Sequence, residues 1–194
     1  MIEPKILKLF PKTVYCQQNL MLDKIEYLYN TLHSLNLPCS KDLALSVKSS
    51  HKTFPTLHQL EPFKEFSNIV LDHSRAYGKM LGYSDTQRDK FRFVNMWFNQ
   101  SFKDDFNFPH LHNGSIISGV FYIKTVSKNK IVFQNFSDQL IEPDDPTDLA
   151  WNMSWIDTEP GLLLLFKSNL IHSNPRQEDE NEKLIISFNV TMDL

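Results

Sequence analysis

Two periods of hydrophobic recurrence divide this chain, and the change comes near residue 90. Before it, Leu20, Ile25, Leu28, Leu32 and Leu35 recur at three- to five-residue intervals, which predicts a surface helix over 19–35. Phe63, Phe66, Ile69, Val70 and Tyr77 predict a second helix over 58–82, with Gly82 as its stop. KILKLF (5–10) reads as a short strand halted by Pro11, and 36–56 is polar and irregular. After residue 90 the period falls to two. FRFVNMWFN (91–99) sets Phe91, Phe93, Asn95, Trp97 and Asn99 on one face and Arg92, Val94, Met96 and Phe98 on the other. Further strands are expected at 115–124, 130–136, 161–166 and 183–192. Residues 137–160, rich in Asp, Glu and Pro, read as a long acidic loop with a short element near Trp151 and Trp155. Short strands without alternating helices favour an antiparallel sandwich or barrel, with both helices packed outside one sheet.

Length and composition narrow this. A chain of 194 residues suits one domain and can bury roughly 70% of its unfolded surface. The expected division is 1–90 as an N-terminal strand with supporting helices and 91–194 as the core. Fifteen Phe against five Gly, with 41% hydrophobic residues, excludes a disordered or collagen-like chain. The net charge is −3 and no basic block occurs, so there is no nucleic-acid signature. Cys16 and Cys39 form no CxxC motif; free thiols in a reducing, cytoplasmic setting are the expectation. The first twenty residues do not read as a signal peptide. The longest apolar runs, near 116–123 and 162–166, fall short of the ~20 residues that cross a bilayer, so no membrane partner is expected.

Chemistry concentrates in three of seven histidines. His33, His51, His58 and His73 share no spacing and read as surface or boundary residues. His110 and His112, in PHLHNGS, are two apart just before the 115–124 strand, so in extended chain both rings point the same way. His172 follows the 161–166 strand and could supply a third nitrogen. An HxH alone fits a surface pair, a zinc site or a hydrogen-bonded patch. Three imidazoles suit iron, zinc, copper or nickel. On the last strand, Lys183, Ile185, Ser187 and Asn189 share one face, and Leu184, Ile186, Phe188 and Val190 form an apolar stripe on the other. The first face fits either a pocket for an anionic ligand or a solvent-facing strand with Lys183 at its rim. Arg176 is the competing cation.

HLHNGSIISGVFYIK (110–124), GLLLLFKSNLIHSN (161–174) and EKLIISFNV (182–190), in that order, resemble the 2-oxoglutarate- and Fe(II)-dependent oxygenases. The likeness is nearest to small bacterial and phage proteins with HxH in place of the usual HxD/E. LFPKTVY (9–15) and WFNQ (97–100) are also similar to that group. Sixty residues separate His112 from His172, and eleven separate His172 from Lys183.

The resemblance implies a mainly β fold, the double-stranded β-helix (a cupin-like jelly roll), with flanking N-terminal helices. It implies Fe(II) and 2-oxoglutarate as cofactors, with His110, His112 and His172 as metal-binding, catalytic ligands. Lys183 takes the place of the basic residue that pairs with the far carboxylate of 2-oxoglutarate. Tyr122, Asn99 and Ser187 are further cosubstrate candidates. The implied activity couples oxidative decarboxylation of 2-oxoglutarate to oxidation, typically hydroxylation, of a small-molecule or peptide substrate. Two departures stand out: His112 occupies the acidic place, and Lys183 replaces the usual Arg, giving a point charge instead of a planar fork. The alternatives are a three-histidine iron dioxygenase that does not use 2-oxoglutarate and a non-enzymatic jelly-roll binding protein. A homodimer is among the expected states, because jelly-roll sheets often pair edges or faces.

Overall fold

The computed structural model describes residues 5–6, 11–42, 45–135, 144 and 151–193. In chain order the elements are β1 (Val14–Gln17), α1 (Ile25–Ser34), β2 (Ser40–Asp42), β3 (Leu45–Ser49), α2 (Lys64–Met80), α3 (Asp85–Asp89), β4 (Phe91–Ser101), β5 (Asn107–His110), β6 (Ile117–Lys124), β7 (Lys130–Gln134), β8 (Met153–Asp157), β9 (Leu163–Lys167), β10 (Ile171–Asn174) and β11 (Lys183–Met192). One antiparallel path runs β1-β9-β6-β11-β4-β3-β5-β10-β7-β8, with β2 paired to β3. The path folds back on itself at β3. Lys48 and Ser49 pair with Gln100 and Asn99 of β4, while Leu45 pairs with Asn107 of β5. Two layers result: β1-β9-β6-β11-β4 and β5-β10-β7-β8. The architecture is a double-stranded β-helix with flanking N-terminal helices.

Side-chain alternation decides what each layer buries. Between the layers, Val120, Tyr122, Leu164, Phe166 and Ile185 from the larger one meet Ile131 and Phe133 from the smaller. On the outer face of the larger layer, Phe121, Ile123, Leu163, Leu165, Leu184, Ile186, Phe188 and Val190 pack against Leu28 and Leu32 of α1 and Phe66, Val70 and Tyr77 of α2. The helices sit where an amphipathic 3.6-residue stripe meets a period-two stripe. Gly119 makes the close approach possible: a Cβ there would lie 2.3 Å from the Phe188 ring and 2.8 Å from Leu165. The α2 C-terminus is a Schellman closure. Gly82 adopts φ +94°, its N–H bonds the Lys79 carbonyl, and the Tyr83 N–H bonds the Gly78 carbonyl.

Several local expectations change. Residues 7–10 of the expected 5–10 strand, and most of 137–150, lie outside the described residues. The polar stretch 36–56 contains β2 and β3, because β3 pairs with the distant β4 and β5 and β2 pairs with β3, without an alternating pattern. The second helix begins at Lys64, after two short 3-10 turns at Leu57–Gln59 and Glu61–Phe63. The β4 faces also switch. A bulge leaves Asn95 opposite Asn189 but Phe93 opposite Val190. Phe91 and Phe93 therefore join Met96 and Phe98 on the helix side. Asn95, Trp97 and Asn99 remain on the inter-layer side.

Candidate functional site

The site is built at the junction of β5 and β10. His172 pairs with His110 in the ladder, and a bulge on β5 brings Asn107 opposite Asn174. His112 lies past the end of β5, where its backbone N–H bonds the Ser168 carbonyl at 2.8 Å. The approach to Gly114 (φ +85°) carries the chain away into β6. The extended HxH geometry expected from sequence is thus realised half on a strand and half on a tethered loop. The rings still converge: centroids are 5.2 Å apart for His110 and His112, 4.3 Å for His110 and His172, and 5.2 Å for His112 and His172. One ligand-capable atom from each lies within 4.8 Å of the others. Among the described residues this is the one such group of three or more.

Tautomers follow from the neighbours. Carbonyl oxygens accept but cannot donate, so His110 Nδ1–H donates to Phe108 O (2.7 Å) and His172 Nδ1–H donates to Leu170 O (3.0 Å). Each then presents an unprotonated Nε2, the form a metal requires. Burial first, then the neighbouring histidines, holds His112 down to about 4. The same causes hold His172 down to about 3, against the bond to Leu170. His112 and His172 therefore offer uncharged nitrogens throughout the neutral range. Phe166 and Phe133 pack around His172 (4.6 and 6.4 Å between centroids), while Trp97 lies 5.9 Å from His112.

The other candidates sit on the inter-layer face of the larger sheet. Lys183 is 3% exposed, which removes the reading of a solvent-facing rim. Burial pushes its amine down to about 8, with Asp105 acting in the opposite direction. Tyr122, opposite Ile185 in the ladder, is wholly buried, and its hydroxyl has no hydrogen-bond partner. Burial raises its ionisation well above the usual tyrosine range. Asn99 Nδ2–H donates to Ser187 Oγ (3.2 Å). Arg176, the competing cation, lies outside this set: two-thirds exposed, it is 3.4 Å from Asp104 and stacked over Phe106.

Sequence reading missed a polar row beside the trio. Asn189 Nδ2–H donates to Asn95 Oδ1 (2.8 Å), and Ser118 Oγ–H donates to Asn189 Oδ1 (2.7 Å). The Ser118 hydroxyl also lies 2.9 Å from that of Ser168, the residue whose carbonyl holds His112. At the open side, His51 stacks on Trp97 with centroids 4.3 Å apart and receives Asn95 Nδ2–H at 3.4 Å. Asn107 and Asn174 each bury an amide oxygen with no partner. They help line an open depression of about 250 Å³ with Phe106, Phe108, Ser173 and Arg176. Alternation already puts Asn189 on the candidate pocket face of the last strand and could have indicated Ser118 as well; nothing in the sequence joins His51 or Asn107 to the histidines.

The profile of the family described as "Putative 2OG-Fe(II) oxygenase" matches residues 95–189, which contain the three histidines and Lys183. The chain has a 2-oxoglutarate/Fe(II)-oxygenase-like fold. A three-histidine site stands in it where the usual set is His-x-Asp/Glu with a distal His. Among solved structures, a Pseudomonas putida prolyl-4-hydroxylase superposes with TM-score 0.64 at 14% identity, covering 94% of each chain. HygX from Streptomyces hygroscopicus, with nickel, 2-oxoglutarate and hygromycin B bound, gives TM-score 0.64 at 12% identity over 94% of this chain and 84% of that one. A viral collagen prolyl hydroxylase from Paramecium bursaria Chlorella virus-1, in complex with 2-oxoglutarate, gives 0.60 at 11% over 91% and 94%. At these identities the likeness is one of fold. No curated protein matches the chain in sequence. No helix among the described residues is long and apolar enough to cross a membrane.

Proposed function

We propose that this protein is a 2-oxoglutarate-dependent Fe(II) dioxygenase, a hydroxylase in its simplest form. The carrying observation is a buried, partnerless hydroxyl and a buried amine, Tyr122 and Lys183, on the inner face of the larger layer, while the smaller layer carries His110 and His172 of the histidine trio. Tyr122 is a buried donor without an acceptor and Lys183 is a buried cation, and a ligand carboxylate would satisfy both. The residues fit the cofactors on two further counts. Three imidazole nitrogens, Nε2 from His110 and His172 and one from His112, would leave other positions of a bound metal open to ligands. Asn99, Ser187, Asn107 and Asn174 are neutral hydrogen-bonding groups, compatible with an anion.

In this reading His110, His112 and His172 hold Fe(II), and Lys183 and Tyr122 anchor the far carboxylate of 2-oxoglutarate. When bound, iron and the keto acid supply the oxidising power by which O2 is used on a second substrate. The chain itself orients and excludes. The Phe108 and Leu170 carbonyls fix the ring orientations of two ligands. Phe133 and Phe166 keep water from one flank. The row Asn95–Asn189–Ser118–Ser168 stiffens the floor under His112. His112 in the acidic place leaves the metal with one more positive charge than a carboxylate ligand would, which strengthens its hold on anionic oxygen donors. His51 and Trp97 at the open side, with Phe106 and Phe108 beside the depression, suit a small-molecule or peptide substrate that stacks. The proposed setting is the cytoplasm, where both cofactors are available.

The test is aerobic incubation of Fe(II)-loaded protein with 2-oxoglutarate labelled at C1. Release of labelled CO2 with equimolar succinate supports the reading, and its loss in Lys183→Ala ties the activity to the amine. Stoichiometric iron binding with no 2-oxoglutarate consumption, in the presence or absence of candidate substrates, would instead favour the three-histidine dioxygenase.

A further inference from the structure

Buried charge at the cosubstrate end of the jelly roll has a simple inventory. Among the described residues three charged side chains are buried: Asp105 (9% exposed), Glu182 (8%) and Lys183 (3%). Glu182 precedes Lys183 and points the other way, as strand alternation requires. Its carboxylate is already surrounded. Tyr29 Oη donates to it at 2.7 Å, Gln100 Nε2 also donates, His33 lies at 3.0 Å and Lys124 at 3.4 Å. That leaves Asp105 as the one buried carboxylate for the buried amine.

The backbone puts Asp105 in the right place. Lys183 pairs with Ser101 at the end of β4. The next residue, Phe102, donates its N–H to Asp105 Oδ2 at 2.9 Å. The Gln177 N–H donates to the Asp105 carbonyl at 2.9 Å, and Asp104 N–H to the Gln177 carbonyl at 2.8 Å. The β4–β5 turn and the β10–β11 connection are thus stapled together around this carboxylate. Other charged groups on the surrounding elements are engaged elsewhere or face solvent. Lys124 of β6 is with Glu182, Lys103 with Glu180, and Arg176 with Asp104. Lys48 of β3 is exposed. Lys41 of β2, largely exposed, reaches to 4.0 Å of Asp105 Oδ1.

We propose that Asp105 is the internal counter-charge of Lys183, acting through space and not by direct contact, and, on the oxygenase reading, the positioning residue that keeps this amine protonated for the cosubstrate carboxylate. An unpaired ammonium this deeply buried would shed its proton, and a neutral amine grips a dicarboxylate poorly. The cost is a fixed negative charge next to an anion site. Asp105 therefore works in opposite directions at the two ends of the pH range.

Two measurements on the full chain test this. The first follows the Lys183 side chain by NMR in lysine-labelled protein, assigned by its loss in Lys183→Met. Asp105→Asn, which still offers an acceptor to the Phe102 N–H, should lower the titration midpoint by roughly one pH unit, and Asp105→Glu should restore it. The second is calorimetry of 2-oxoglutarate binding to protein loaded with a redox-inert divalent metal, between about pH 6 and about pH 9. Asp105→Asn should bind about fivefold more weakly near pH ~8, yet as tightly as wild type or tighter near pH ~6. An unmoved NMR midpoint, or an equal loss of affinity at every pH, overturns the counter-charge proposal. Wild-type protein that binds metal but no 2-oxoglutarate overturns the oxygenase reading, while the NMR midpoint still judges the pair.

Discussion

On one side of β11, Leu184, Ile186, Phe188 and Val190 are buried in an apolar cluster with α1 and α2. On the other, Lys183, Ser187 and Asn189 are buried or half-buried on the inter-layer face, with polar partners or, for the lysine, a distant carboxylate. The backbone is the same and the burial is comparable; the energetics are opposite. Each apolar side chain on the outer face gains about 1.5–3 kcal/mol by leaving water. Desolvating an ammonium and a phenol on the inner face costs free energy, opposed for the ammonium by Asp105. One side of the strand thus stabilises the fold, while the other carries buried polar groups at a cost in stability.

The largest effect that would sharpen this contrast is on the metal. His172→Ala should lower metal affinity by more than the roughly 10–100-fold that loss of an outer partner costs, and end turnover, while leaving the outer face and the melting transition nearly intact. Competition against a coloured chelator measures it; retained affinity would mean the trio is not the centre. Phe188→Ala should do the reverse, removing about 3–5 kcal/mol in denaturant unfolding while the folded fraction still binds metal.

Lys183→Met separates stability from binding on a single residue. The folded amine titrates near 8 against an ordinary 10.5, so between those values the unfolded chain carries more protons and stability rises with pH. Below pH 8 the full burial penalty is present. The methionine variant should be more stable near neutrality by up to about 3 kcal/mol, flatten that rise and lose 2-oxoglutarate binding. A variant less stable than wild type at pH 7 would break the comparison. The smallest effect is Tyr122→Phe. Deleting a buried hydroxyl that has no partner should leave stability unchanged or raise it by about 1 kcal/mol while weakening 2-oxoglutarate binding. A clear loss of stability would show that the hydroxyl serves the fold instead of a ligand.

Much of this was legible in the residues. The two faces of 183–190, five of the eight described strands after residue 90, both long helices and the convergence of His110, His112 and His172 follow from periodicity and from the ordered motifs, whereas the short strands β5 and β10 that carry His110 and His172 were not expected. What failed was local and instructive. The β4 bulge reassigned Phe91 and Phe93 to the opposite face, and bulges leave no period of their own. β3 formed in a stretch without alternation because β4 and β5 pair with it, and β2 formed by pairing with β3. His112 left the strand that was expected to aim it and was aimed instead by the Ser168 carbonyl, 56 positions later in the chain.

Taken alone, the sequence determined which side chains are apolar at which period, and hence that a β-rich core with outer helices would form and carry three imidazoles and an amine on it. Tertiary structure decided which groups meet. Asp105 reaches the level of Lys183, and His51 reaches Trp97 beside the histidines, only because sheet register and turn hydrogen bonds bring distant segments together. Period-two and period-3.6 patterns record which way a side chain points from its own backbone, and they contain no information about what the next strand places opposite it.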